Sequence, residues 1–315
     1  TVCQLYAKQI RLRRNVRYNT KNGRKRLMKL LEEDKLGGCP IDSVKLSDAK
    51  EWAIRMKEKG ISYKTISNDK RSLKAAFYTA IQDDCIRKNP FDFQLNTVIE
   101  DDTEPKVPLT PAQEESFLSF AQNDKVYQKY YDELIILLGT GLRISELCGL
   151  TDTDINFENR IINVDHQLLR SAETGYYIET PKTKSGIRQI PMSEKVYEAF
   201  NRVLKRRRGA KAVTIDGYSN FLFLNRDGYP KTATNYDGMF RGHAKKYNKY
   251  HEEALPKVMT PHTLRHTFCT NMANAGMNPK ALQYIMGHSN ITMTLNYYAH
   301  ATFDSAKAEM LRIAA

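Results

Sequence analysis

The stretch PHTLRHTFCT, Pro261 to Thr270, is followed by IMGHSNITMTLNYYAH, Ile285 to His300. Metal binding, core packing and phosphate chemistry all use residues of these types. His262 and Arg265 stand one helical turn apart and so share a face. His262 and His266 have an i,i+4 spacing that zinc sites also use. No HExxH glutamate accompanies them and no third ligand is evident, so neither a metal nor another cofactor is expected. A lone histidine is ordinarily a hydrogen-bonded structural residue, so chemistry here has to rest on what the rest of the chain adds.

Composition narrows the partner. The chain has 315 residues, 41% of them hydrophobic, which is enough for two domains with ordinary cores. Lys and Arg number 49 against 36 acids, a formal charge of +13. That excess favours nucleic acid or an acidic membrane surface. No apolar run has membrane-spanning length and the N-terminus does not read as a signal peptide. Cys3, Cys39, Cys85, Cys148 and Cys269 are scattered without a CxxC pair, as reduced cytosolic thiols would be. The cations cluster at Arg11, Arg13, Arg14 and Arg17, at Arg24, Lys25 and Arg26, and again from Lys205 to Arg208. With hydroxyls and aromatics between them, such runs suit DNA phosphates.

The chain reads as two domains. Residues 1–93 are helical: Ile66, Leu73, Phe77 and Ile81 fall near helical spacing, and Pro90 closes the segment. Residues 94–107 carry acids and prolines without period and read as a linker. A second domain, residues 108–315, opens at LTPAQEES. Thr110 caps a helix there, Pro111 takes its first position, and Glu114 or Glu115 completes the cap. An apolar helix then breaks at Gly-Thr-Gly and a second begins. RIINV, GYYIET and RQIPM read as strands, with KTKSG as the turn between the last two. Helices return from Lys195. At the end, Phe303, Ala306, Met310, Leu311 and Ile313 make one apolar face of a short tail helix capped by Asp304 or Ser305.

Four separated pieces acquire a purpose together: Arg143 in GTGLRISEL, the lysines of PKTKSGIRQIP, His262-x-x-Arg265, and His288 with Tyr297 or Tyr298. Two arginines hold a phosphate by planar paired hydrogen bonds. Donors aimed at a phosphorane stabilise its extra negative charge. Lysine or histidine can protonate a leaving oxygen, and tyrosine can form a covalent intermediate. The sequence has no GxxxxGK[ST] loop for nucleotide-driven chemistry.

In this order the motifs TGLRISELCGL, TPHTLRHTFCT and IMGHSNITMTLNYYAH resemble the tyrosine recombinases, or phage-integrase family, over residues 108–300. The likeness is closest to integrases of conjugative transposons. Those carry an additional N-terminal arm-binding domain, and a chain starting at Thr1 is similar to one truncated after it. The resemblance implies a mainly α fold with a small antiparallel β-sheet. It also implies a helical core-binding domain and a catalytic domain that form a clamp around duplex DNA. Arg143 and Arg265 would hold the scissile phosphate, His262 would bind it and assist proton transfer, and His288 would support the phosphorane. The family lysine lies on a hairpin; Lys182 fits that place, with Lys184 as the alternative. The usual nine-residue spacing from the Gly-His histidine selects Tyr297 as nucleophile, whereas the Tyr-x-His ending selects Tyr298; Tyr297 is taken here.

The implied activity is site-specific DNA recombination, integration and excision, through a 3′-phosphotyrosine and without metal or nucleotide. The implied partners are double-stranded DNA at core sites, further copies in a multimer, expected as a tetramer joined through the C-terminal tail, and an accessory excision factor. The expected place of action is the bacterial cytoplasm at the nucleoid. A type IB topoisomerase and a non-catalytic DNA-binding regulator are the alternatives.

Overall fold

Two sets of contacts divide the chain into one unit from Thr1 to Pro105 and another from Lys106 to Ala315. The computed structural model describes residues 1–13, 16–104, 107–181, 183–207, 213–298 and 310–311. Among these, no helix is long and apolar enough to cross a membrane.

The first unit is helical: α1 (Val2–Leu12), α2 (Tyr18–Glu32), α3 (Lys35–Gly38), α4 (Leu46–Glu58) and α5 (Tyr63–Gln82). Its core gathers Leu27, Leu31, Trp52, Phe77 and Phe91, with the Trp52 and Phe91 rings edge to face at 5.8 Å between centroids. On α5 the buried positions are Ile66, Asp69, Leu73, Ala76, Phe77 and Ala80, and Ile81 is only half-buried. The helical repeat carries the stripe from Leu73 to Ala80 seven residues on, and turns Ile81 about 100° aside. Leu95 and Ile99, within the stretch read as a linker, are buried in this core. Of the basic runs, Arg26 pairs with Asp69 at 2.6 Å. Arg55 makes a two-pronged contact with Asp34, Nε to Oδ2 at 2.9 Å and Nη2 to Oδ1 at 2.7 Å. Arg14 lies outside the described residues.

The second unit begins with α6 (Pro111–Asn123), α7 (Tyr131–Thr140) and α8 (Ile144–Gly149). Thr110 caps α6 as expected, but its partner in the cap is Gln113, not Glu114 or Glu115. With Pro111 first in the helix, Gln113 is the third residue, the one whose side chain reaches back to the cap. Glu114 instead accepts from Asn271 Nδ2 at 2.8 Å.

Five short strands follow: β1 (Ile155–Asn156), β2 (Ile161–Val164), β3 (Gln167–Ser171), β4 (Gly175–Glu179) and β5 (Arg188–Pro191). They form two antiparallel sheets, β1-β2-β5 and β3-β4. This corrects the strand reading in two ways. Gln167–Ser171 is a strand, paired with β4, and KTKSG is not a hairpin turn because β5 pairs with β2. The hairpin turn lies between Ser171 and Gly175, and β4 and β5 belong to different sheets. Alternation along β2 and β5 turns Ile162, Val164, Arg188 and Ile190 to the buried face.

The chain continues as α9 (Glu194–Arg207), α10 (Ala233–Tyr250), α11 (Pro261–Asn274), α12 (Pro279–Met286) and α13 (Thr292–Leu295). One apolar core spans α6 to α11 and the sheets, including Phe117, Leu137, Leu147, Phe200, Phe240 and Leu264. A smaller cluster joins α11 and α12 through Phe268, Cys269, Leu282 and Met286. In the Lys205–Arg208 run, Arg206 pairs with Asp132 at 2.6 Å and Arg207 donates to the Phe221 carbonyl. Two of those cations therefore hold the fold, and Arg208 lies outside the described residues. Of the tail helix only Met310 and Leu311 are described, both exposed; the other tail positions lie outside the described residues.

Candidate active site

The ends of helices build the site. α7 stops at Gly141, whose φ of 63° is left-handed; a Cβ there would stand 2.5 Å from the Phe268 ring, so only glycine fits. The turn brings Arg143 to the start of α8. Glu146, one turn on, accepts from the Arg143 backbone N–H at 2.9 Å and from its Nη1 at 2.7 Å. α12 ends in the same way at Gly287, with φ 61°.

The end of α12 leaves carbonyls without helical partners, at the negative end of the helix dipole. Three successive carbonyls take three arginines. Ile285 accepts from Arg188 Nε at 2.6 Å, Met286 accepts from Arg265 Nη2, and Gly287 accepts from Arg143 Nη2 at 3.1 Å. Arg265 Nη1 also donates to the Gly141 carbonyl. Arg265 is buried, while the Arg143 side chain is 38% exposed.

Two guanidiniums, those of Arg143 and Arg188, thus hold one carboxylate, Glu146. Burial pushes that carboxyl up, but hydrogen bonds and charge from Arg188, then the charges of Arg143 and Arg265, hold it down at about 2. Burial, followed by the charge of Arg143, pushes the Arg265 pKa below its ordinary value. His288 is buried, with Nδ1 2.9 Å from the Thr294 hydroxyl oxygen. Burial, then Arg265, Arg143, Arg188 and His262 in turn, push its pKa down to about 4, so it is neutral at pH 7. The site has surplus positive charge, which suits a phosphate anion.

His262 opens α11 and is exposed, one turn before buried Arg265. Tyr297 and Tyr298 both pack on the α11–α12 cluster. The Tyr298 hydroxyl donates to the Met277 carbonyl at 2.5 Å. The Tyr297 ring lies 4.8 Å from the His266 ring. Burial, then Cys269, raise the Tyr297 pKa, and Arg265 opposes them; Arg265 has no such influence on Tyr298. Lys182 lies outside the described residues, and Lys184 is exposed at the start of a single 3-10 turn, Lys184–Gly186.

The sequence reading named Arg143, Arg265, His262, His288 and Tyr297: Arg143 and Arg265 meet at the carbonyls just before His288, His262 lies one turn before Arg265 on α11, and Tyr297 lies against His266 of the same helix. It missed Glu146, Arg188 and Thr294. Arg143-x-x-Glu146 at a helix start was a legible signal for the first; nothing local marked the others. Elsewhere, Asp154, Asp165 and His166 bring ligand-type atoms within 4.8 Å of one another. Both ring nitrogens of His166 are engaged there, with Asp165 Oδ1 at 2.6 Å and the Gly149 carbonyl at 2.8 Å.

Residues 108–305 match the model of the phage integrase family. The transposase of transposon Tn916 from Enterococcus faecalis is 68% identical over 313 residues, 99% of this chain and 77% of that protein. The Tn1545 transposase of Streptococcus pneumoniae matches to the same extent. The fold superposes on the Tn1549 transposon integrase bound to a circular intermediate DNA with a TM-score of 0.95, at 77% identity and 99% coverage of each chain. A lambda integrase dimer on a core site shares the fold at 15% identity, a TM-score of 0.62 and 94% coverage of each chain. The chain belongs to the phage integrase family of tyrosine recombinases.

Proposed function

We infer that this chain is the site-specific recombinase of a transposon, and that it cuts and rejoins DNA through Tyr297. One observation carries the reading. Arg143 and Arg265 donate to successive carbonyls just before His288, and three guanidinium charges bear on that histidine. A scissile phosphate is the anion that such a concentration of positive charge suits, and Tyr297, nine residues on, is read as the nucleophile.

Arg143 and Arg265 hold the non-bridging oxygens. The Tyr297 oxygen attacks phosphorus, and its proton leaves toward His262. The bond to the 5′-oxygen breaks, Lys182 supplies the proton to that oxygen, and His288, neutral and fixed by Thr294, donates to the phosphorane. The 5′-hydroxyl of a second strand reverses the step and frees Tyr297. The phosphotyrosine conserves the energy of the diester bond. The core-binding domain read at residues 1–93 extends through Leu95 and Ile99, which sit in its core, and residues 108–315 serve as the catalytic domain. DNA duplex at core sites is the partner. Strand exchange between two duplexes requires a multimer, assigned here as a tetramer joined through the tail beyond Tyr297, with an excision factor biasing direction. The enzyme works where element and chromosome lie, in the bacterial cytoplasm at the nucleoid.

The test is a nicked suicide duplex carrying the transposon end. Wild-type protein accumulates a covalent protein–DNA adduct, and peptide mapping locates it. An adduct on Tyr297 supports the reading; complete failure to trap any adduct on DNA that the protein binds overturns it.

A further inference from the structure

We propose that Arg188 is a positioning residue for strand cleavage. It neutralises and orients Glu146 so that the charges of Arg143 and Arg265 stay available to the phosphate, and the proposal rests on the phosphate-transfer reading above.

Arg188 stands on the inward face of β5, opposite Val164 and two residues before buried Ile190. An aliphatic side chain is the ordinary occupant of such a place. The Arg188 side chain is instead fully buried and so cannot reach a substrate. It forks onto Glu146, Nη1 to Oε1 at 3.1 Å and Nη2 to Oε2 at 2.9 Å. The remaining bonds go to the Ile285 carbonyl at 2.6 Å and the Gly186 carbonyl at 3.0 Å. Arg188 therefore joins three segments: the start of α8 with Arg143, the end of α12 that receives Arg265 and Arg143, and the turn after Lys184.

Stability does not demand this arrangement. A buried ion pair exchanged for apolar groups of like volume generally leaves a fold as stable as before, so the pair is better explained by the geometry it sets. Glu146 touches Arg143 through both oxygens. With Arg188 removed, Arg143 is the ion-pair partner left to that carboxylate among the described residues. The carboxylate would draw on the guanidiniums of Arg143 and Arg265 and blunt the charge they offer the phosphorane. Fit supports the same conclusion. A Cβ placed on Gly287 would stand 3.1 Å from Arg188 Nη1 and 3.2 Å from its Cδ, so the α12 terminus is built against this side chain.

The experiment compares wild type with Arg188→Met and Arg188→Lys on two suicide duplexes. One has a normal scissile phosphodiester and the other a methylphosphonate there, which lacks one negative charge. Expected on the phosphodiester is a fall in single-turnover cleavage of about 100-fold, the scale of a lost charge-stabilising donor. DNA affinity should stay within about threefold, since the Arg188 side chain is fully buried. On the methylphosphonate the gap to wild type should shrink to under about tenfold, because less charge must be balanced. A merely loosened fold would slow both substrates alike, so equal losses overturn the proposal, as does unchanged cleavage of the phosphodiester. If Arg188→Met does not fold, Arg188→Gln, which keeps a hydrogen bond to Glu146 without the charge, carries the same comparison. Wild-type protein that cleaves neither duplex would sink the underlying reading instead.

Discussion

Replacing Arg143 by lysine tests the proposed phosphate grip most directly. The Arg143 fork is fixed at two points, Nη1 on Glu146 Oε1 at 2.7 Å and Nη2 on the Gly287 carbonyl at 3.1 Å. An ammonium can reach one of these points but cannot present a planar pair of donors beyond them. Arg143→Lys therefore keeps the charge and loses the geometry. The side chain is 38% exposed, so its ion pair with Glu146 contributes no more than about 1 kcal/mol to stability. Affinity for duplex DNA, which follows total charge, should stay within about twofold. Cleavage should suffer far more. Loss of one aligned donor to a developing oxyanion costs about 10²–10³ in rate, or about 2.7–4 kcal/mol. The assay is single-turnover adduct formation on a suicide duplex under saturating enzyme, with binding measured separately by gel shift. Folded Arg143→Lys that cleaves within about threefold of wild type would remove Arg143 from the phosphate site. A rate loss matched by an equal loss of affinity would make its part general binding.

Tyr297→Phe should abolish adducts and leave DNA binding intact. Tyr298→Phe loses a hydrogen bond to Met277, about 1 kcal/mol of stability by thermal melt, and keeps cleavage; the reverse pattern would exchange the two. Lys182→Ala should recover on a 5′-bridging phosphorothiolate duplex, whose thiolate leaves without a proton, whereas Lys184→Ala should be mild on either substrate; rescue of Lys184→Ala alone would swap the lysines. His243 is fully buried among Phe117, Phe120 and Tyr127, with neither ring nitrogen hydrogen-bonded. Burial pushes its pKa down to about 4, as it does for His288. Unfolded imidazole titrates near about 6.5. The unfolded chain thus takes up protons that the folded chain refuses, and stability falls as pH drops from about 6.5 toward 4. His243→Phe should flatten part of that fall, read as Tm at pH 7 against pH 5; an unchanged slope would show that His243 is not one of the groups responsible.

What the sequence by itself determined lies among features that near neighbours control. Thr110 before Pro111 marks a helix start because cap and first turn lie within three residues of each other. The Gly-Thr-Gly break marks a helix end because glycine accepts the left-handed turn at Gly141 without strain. The same short-range order of Arg143, His262, Arg265, His288 and Tyr297 carried the family. Tertiary structure decided which distant groups meet. Glu146 and Arg188 are 42 residues apart and Arg143 and Gly287 are 144 apart, and no periodicity links either pair. A strand pattern shows that position 188 faces inward, but only the packed end of α12 makes an arginine suitable there. KTKSG has the composition of a hairpin turn, yet strand pairing is settled by which edges the core leaves open, and β5 joins β2. The two tyrosines look alike in the sequence. Packing separates them: beyond the end of α13 the Tyr298 hydroxyl donates to the Met277 carbonyl, whereas the Tyr297 ring lies against His266.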